Sequence, residues 1–327
     1  MTRVLSGMRP TGPLHLGHWL GALENWIKLQ EKHECFFMVA DLHALMGEYE
    51  NPAGLQKNSV EMVMDWLACG VDPKKSVIFV QSQIPEHSEL ALILGMLTPL
   101  GWLERNPTYK EQLREIQGRD LTTYGFLGYP VLQAADILLY KADQVPVGED
   151  QLAHLELTRE IVRRFKHLYK KDIFPEPKPL LTKEARILGL DKRKMSKSYG
   201  NTIALSDPED VVRKKIESMV SDTKRLRKND PGHPDECFVH YYLRIFGEAE
   251  LIKKTDEWCL KGEKGCLETK GLLADTVIAK LAPMQKRRRE IGKDAGVVRK
   301  VLEEGHKKAS AVARATLDEV KKLVSLK

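Results

Sequence analysis

The sequence predicts a doubly wound α/β domain built on a parallel sheet, followed by a region made of helices. Three observations predict this. Residues 35–40 (Cys-Phe-Phe-Met-Val-Ala) form a continuous apolar run of strand length, as in a strand buried on both faces. Strand-length segments at 2–6, 35–40 and 76–82 alternate with helix-length segments, which requires right-handed crossovers between parallel neighbours. Beyond Asp207 the text turns helical and more basic, with clusters at Arg213-Lys214-Lys215, Lys224-Arg225-Leu226-Arg227-Lys228 and Lys286-Arg287-Arg288-Arg289.

The elements follow in order. Residues 2–6 read as a short strand. Over residues 17–33, Trp19, Leu20, Leu23, Trp26, Ile27 and Leu29 recur at helical spacing. Residues 56–69 form a second helix, stopped by Gly70. Residues 87–126 break the alternation and read as a helical insertion. An apolar helix covers 129–141, a short strand 145–148 and a further helix 151–169. Residues 173–179 carry three prolines and read as a connection. The domain expectation is therefore a sheet domain over 1–200 and a helical domain over 201–296. A last helix over 297–327 is expected to return to the first domain.

Composition narrows the class of protein. A chain of 327 residues with 42% hydrophobic and 30% charged residues has the balance of a globular protein with a sizeable core. The net charge of +6 suits a polyanionic partner, but many unrelated enzymes share it. Residues 1–7 lack the apolar run of a secretion signal. The longest apolar stretch, 90–103, contains Gly95, Pro99 and Gly101 and is too short to span a bilayer. A cytoplasmic location without membrane attachment is expected. Five cysteines in this length do not make a disulfide framework. Cys35 and Cys69 fall in core-like elements and read as inert thiols.

Two short signatures carry the chemistry. Pro10-Thr11-Gly12-Pro13-Leu14-His15-Leu16-Gly17-His18 falls at a strand-to-helix junction, the sheet edge where ligands bind. Backbone N–H groups at a helix start attract phosphate, and Gly17 lets a planar base approach closely. His15 and His18, three apart, can donate to charge developing on phosphate oxygens. Lys194-Met195-Ser196-Lys197-Ser198 places two lysines in one loop, where they can act as point charges on a leaving pyrophosphate. The plainer readings are two surface histidines and a solvated basic loop. Tyr129, Gln133 and Asp136 fall on one helical face. Asp136 is a carboxylate on an otherwise apolar face and needs a partner. A backbone-bonded buried Asp is the plainer reading. No Walker A loop, Gly-x-Gly-x-x-Gly or His-Glu-x-x-His is present.

With the text around them, these signatures resemble those of the class I aminoacyl-tRNA synthetases, and among them the bacterial tryptophanyl-tRNA synthetase family. The resemblance covers nearly the whole chain. It rests on Ser6-Gly7-Met8-Arg9-Pro10-Thr11-Gly12, Ala40-Asp41-Leu42-His43-Ala44, Gln81-Ser82 followed by Pro85-Glu86-His87, and Leu103-Glu104-Arg105. The strongest block is Tyr129-Pro130-Val131-Leu132-Gln133-Ala134-Ala135-Asp136-Ile137-Leu138-Leu139-Tyr140, followed by Val145-Pro146-Val147-Gly148-Glu149-Asp150-Gln151 and His154-Leu155-Glu156-Leu157-Thr158-Arg159. It implies a nucleotide-binding Rossmann-like domain and an all-helical tRNA-binding domain. It implies ATP-dependent activation of L-tryptophan, transfer to tRNA(Trp), Mg²⁺ carried by the ATP phosphates, and a homodimer. On the same ground Arg9, Pro10, Thr11, Gly17, His18, Gly148, Glu149, Asp150 and Ile187 would hold ATP, together with Lys194, Met195, Ser196, Lys197 and Ser198. Leu5, His43, Val145 and Val147 would join Tyr129, Gln133 and Asp136 around the amino acid. Lys194 and Lys197, supported by His15 and His18, are the expected catalytic groups.

Two departures from the family stand out. Arg9 replaces the glutamine common at that place, adding a cation. Cys237, Cys259 and Cys266 resemble a set that holds a 4Fe–4S cluster in some relatives, but the fourth position is Thr269. Four thiolates are the usual ligand set, so no stable cluster is expected. Three rival readings stand beside the main one: a tyrosyl enzyme, which uses a similar Tyr, Gln and Asp pattern; a small-molecule nucleotidyltransferase; and a catalytically silent RNA-binding relative.

Overall fold

The computed structural model describes residues 1–110, 122–181, 187–193, 195–294 and 296–326, without the Ser198 side chain. Five parallel strands, β1 (Arg3–Met8), β2 (Glu34–Val39), β3 (Ser76–Val80), β4 (Gln144–Val147) and β5 (Lys178–Leu181), lie in the order β3-β2-β1-β4-β5. The apolar run forms β2, an interior strand between β3 and β1, with Cys35 to Val39 buried. β5 lies in the segment read from sequence as a connection. It is an edge strand, where Pro179 removes no ladder bond that a neighbour needs, and the nearby prolines hide it from pattern reading.

The order matters for the site. The chain runs outward from β1 to β3 and then crosses to the other side of β1 to make β4. Such a switch opens a crevice beyond the carboxyl ends of the strands. The helix Tyr124–Leu139 enters it, capped by Thr123, whose side chain accepts a hydrogen bond from the Phe126 N–H at 3.2 Å. The periodic stretch expected as one helix over 17–33 is divided into Leu16–His18, a π segment Trp19–Leu23 and Glu24–Leu29. Its Trp26 is buried, stacked on Phe37 at 4.3 Å and edge-on to Trp66 at 5.0 Å.

The segment read as an insertion begins with the helix Glu86–Leu97, which belongs to the core through Leu90, Ile93, Leu94 and Leu97. A short helix, Leu100–Glu104, follows; residues 111–121 of the expected insertion lie outside the described residues. The chain divides into two compact units. One comprises Met1–Gly12, Ala22–Glu184 and Asp294–Lys327, the other Pro13–Gly21 and Ala185–Lys293. The second contains the helices Glu209–Glu217, Phe238–Phe246, Ala249–Lys261 and Cys266–Gly292 around buried Ile216, Tyr242, Leu243, Val277 and Leu281.

The helix Gly296–Leu323 completes the core of the first unit with Ala309, Ala313, Leu317 and Val320. Lys321 pairs with Glu89 at 2.6 Å. Gly305 lies against β3: a Cβ there would stand 1.7 Å from the Ile78 carbonyl oxygen. Gly305→Ala is therefore expected to destabilise the fold by about 1–3 kcal/mol, as overpacking does. Gly271→Ala is the control. It lies inside a helix with open space at the Cβ position, so the fold is expected to gain a few tenths of a kcal/mol to about 1 kcal/mol. Thermal unfolding of both variants checks the pair.

Candidate active site

A cavity of about 330 Å³ lies at the carboxyl ends of β1, β2 and β4 in the first unit. Its size is that of a small-molecule pocket at the low end of the range. Leu5, Val145 and Val147 give it an apolar side, and His43, Tyr129, Gln133 and Asp136 a polar one. All seven residues expected around the amino acid thus line one cavity. Arg9, expected among the ATP residues, lines it too.

Asp136 is buried with its charge. His87 Nδ1 reaches its Oδ1 at 2.6 Å, His43 Nε2 its Oδ2 at 2.7 Å, and Gln81 Nε2 lies 2.8 and 3.0 Å from the two oxygens. A carboxylate only accepts, so each of these nitrogens donates. The Gln81 amide is held in this sense because its Oε1 accepts from the Leu42 N–H at 3.2 Å. Burial pushes the Asp136 carboxyl up, but the hydrogen bonds and charge of His43 and His87 outweigh it and bring the group to about 2. The partner that sequence reasoning demanded is therefore a set of three side chains. Gln81 and His87 were missed as contributors, although both lie in text that carries the family resemblance. Periodicity cannot show which loop meets a buried carboxylate.

Tyr129 heads a second chain of hydrogen bonds. Its hydroxyl lies 2.7 Å from His154 Nε2, and His154 Nδ1 lies 2.9 Å from Gln151 Oε1. The Gln151 Nε2 group lies 3.1 Å from the Asp150 carboxylate. Burial lowers His154 to about 4 and raises Tyr129 to about 12.

The first signature from Pro13 onward meets the second signature in the second unit. His15 forms an isolated antiparallel bridge with Ala204, and the Leu16 and Leu205 N–H groups donate to Ile203 and Leu14 carbonyls at 3.1 and 2.8 Å. A Cβ on Gly17 would stand 3.1 Å from the His15 ring and 3.7 Å from Met195 Sδ, so the glycine leaves room for that ring. Met195 N–H donates to the Ile187 carbonyl at 3.3 Å. Burial, with help from the Lys197 charge, lowers His15 to about 4; burial, then His15 and Lys197, holds His18 well below its ordinary value. Both rings are neutral at pH 7. The His15 backbone N–H donates to His18 Nδ1 at 3.2 Å, so the one ring proton of His18 sits on Nε2. Asn201 braces the second signature: its Oδ1 accepts from the Ser196 N–H at 2.8 Å, and its Nδ2 donates to Asp191 at 2.7 Å. Lys194 lies outside the described residues.

The remaining candidates sit elsewhere. Pro10 and Thr11 follow β1, and Gly148, Glu149 and Asp150 follow β4, all in the first unit. Cys237 and Cys259 are buried and Cys266 half-buried. Burial, then the neighbouring Cys237, pushes the Cys259 thiol up to about 11. Thr269 is buried and its hydroxyl donates to the Gly265 carbonyl at 3.4 Å. Three thiols and an engaged hydroxyl do not fit a four-thiolate cluster. In the basic clusters, Arg213, Lys215, Lys224 and Lys228 pair with Asp275, Asp207, Glu236 and Glu268.

The chain as a whole matches known proteins. Residues 1–285 match the family model for class I tRNA synthetases of the W and Y type. The chain belongs to that family. A tryptophan–tRNA ligase of Thermotoga maritima is 50% identical over 99% of both chains. One from Aquifex aeolicus is 44% identical over 99% of this chain and 100% of its own. The structure of tryptophanyl-tRNA synthetase from Campylobacter jejuni, complexed with ADP and tryptophan, superposes with a TM-score of 0.92. It is 32% identical and covers 99% of this chain and 100% of its own.

The histidines predict a pH dependence of stability. The ordinary histidine value is 6.5, and folding lowers His15 and His154 to about 4. Below pH 6.5 the unfolded chain binds protons that the folded one excludes, so stability falls as pH drops from 6.5 towards 4. Asp136 adds a further loss from its ordinary 3.8 towards 2. Urea midpoints are expected to be level around pH 7 and to decline as pH falls below it.

Proposed function

We infer that the chain activates L-tryptophan with ATP and transfers it to tRNA(Trp). In the first step the tryptophan carboxylate attacks the α-phosphorus of ATP, giving tryptophanyl-adenylate and releasing pyrophosphate. In the second a ribose hydroxyl of the tRNA attacks the acyl carbon and AMP leaves. The observation that carries this reading is the meeting of the first signature's histidines with the second signature in one compact unit, in a chain that is half identical to a tryptophan–tRNA ligase along its whole length.

The residues divide the work. Asp136 takes the indole N–H with the lone pair its three donors leave, while Leu5, Val145 and Val147 surround the ring. A pocket built around that bond rejects a side chain that cannot donate. Lys197 and Lys194 place positive charge on the leaving pyrophosphate. His18 contributes as a neutral Nε2–H donor, since burial excludes the imidazolium. Arg9, Pro10, Thr11, Gly17, Gly148, Glu149, Asp150, Ile187, Met195, Ser196 and Ser198 hold the nucleotide, and Mg²⁺ enters with its phosphates. No protein nucleophile is needed; positioning and electrostatics suffice.

The domain roles follow: residues 1–200 carry the chemistry, 201–296 bind the tRNA, and 297–327 brace the first. Lys and Arg of the helical domain meet phosphates. The exposed apolar face of Leu92, Met96 and Leu100 supports a homodimer. Charging of tRNA for translation places the enzyme in the cytoplasm.

Exchange of labelled pyrophosphate into ATP, scanned over all amino acids without tRNA, tests the reading: tryptophan alone is expected to support it. Exchange with tyrosine would overturn the pocket assignment. Lys197→Ala is expected to slow exchange about 100-fold with tryptophan affinity retained, as loss of a transition-state contact does. Asp136→Ala is expected to weaken tryptophan binding roughly 100-fold and leave ATP affinity near wild type, because it strips the pocket of a charged acceptor.

A further inference from the structure

We propose that His154 is a positioning residue that locks the Tyr129 hydroxyl with its lone pairs towards the cavity, reserving that oxygen as an acceptor for the α-ammonium of the substrate. The proposal rests on the amino-acid substrate inferred above. The direction of the chain of hydrogen bonds carries it. The Asp150 carboxylate can only accept, so the Gln151 Nε2 group beside it donates, and Gln151 Oε1 faces His154. That oxygen also only accepts, so His154 Nδ1 bears the ring proton. His154 is buried and neutral, which leaves Nε2 as a bare acceptor. The Tyr129 hydroxyl, 2.7 Å away, donates its single proton there.

Tyr129 lines the cavity with acceptor capacity only. Burial keeps it a phenol rather than a phenolate, so it offers a lone pair without a competing charge. Tryptophan has two donor ends, the indole N–H and the α-ammonium. Asp136 is buried beside the apolar wall and suits the indole. Tyr129, seven residues earlier on the same helix, stands about 10 Å away along its axis and is half-buried, which suits the solvated ammonium. Without His154 the hydroxyl proton is free to turn into the cavity and oppose that cation.

The test compares L-tryptophan with indole-3-propionate, which has the same skeleton without the ammonium, by calorimetric binding to the full chain. In wild type tryptophan is expected to bind more tightly. His154→Leu is expected to weaken tryptophan about tenfold and indole-3-propionate less than about twofold, the size of one hydrogen-bond partner lost. His154→Gln, whose side-chain oxygen can accept from Tyr129, is expected to keep the preference. Tyr129→Phe is expected to lose it, and His154→Leu added to Tyr129→Phe to change nothing further. Equal weakening of both ligands by His154→Leu, or additive losses in the double variant, overturns the proposal. Should the leucine variant not fold, retention of the preference by Tyr129→Phe overturns it. Failure of the wild type to bind tryptophan instead overturns the substrate reading on which the proposal rests.

Discussion

A carboxylate in the core of an α/β unit is the constraint around which the first unit is arranged. Asp136 is ionised and almost fully buried. Isolated, such a charge costs several kcal/mol, and removing one partner from a buried pair costs about 3–5 kcal/mol. Its donors come from three separate places: His43 from the helix after β2, Gln81 from the turn after β3, and His87 from the helix that follows. Satisfying one side chain thereby fixes the relative placement of four segments. His87 extends the arrangement, with Nε2 2.8 Å from the Tyr140 hydroxyl. The cavity wall inherits its rigidity from this network.

The second unit solves a different electrostatic problem. Two histidines and a lysine crowd the same ground, and a positive charge on all three would repel. Burial settles it by keeping the rings neutral, which leaves the lysine as the cation among these three. The Nε2 proton of His18 is then set by a backbone N–H rather than by pH. The donor geometry of His18 is thus written into the backbone, and stays constant across the physiological range.

Much of this was legible in the sequence, for reasons that differ by element. The buried strands β2 and β3 announce themselves because a strand covered on both faces must be apolar almost throughout. Tyr129, Gln133 and Asp136 could be placed together because helical spacing is local. β5 escaped because an edge strand tolerates proline and partial exposure. The π segment at Trp19–Leu23 escaped because its residues keep the apolar rhythm of an ordinary helix. Gln81, His87 and His154 were invisible as polar partners, since a partner 25 to 55 residues away leaves no trace in any local window. Pro13–Gly21 falls with Ala185–Lys293 for the same reason: a β-bridge across nearly 190 residues obeys no pattern within either stretch.

The seat of Gly305 on β3 has a consequence for how the chain is made. Ala309, Ala313, Leu317 and Val320 close a core whose other members, such as Phe79 and Leu90, lie more than 200 residues earlier. During synthesis the sheet therefore emerges with its cover missing. The whole stretch 185–293 must pass before the covering helix arrives. Chains grow at about 5–20 residues per second, so the apolar flank of β3 stays uncovered for roughly ten seconds or more. Over that interval the nascent sheet presents the kind of apolar surface that makes incomplete folds prone to aggregate.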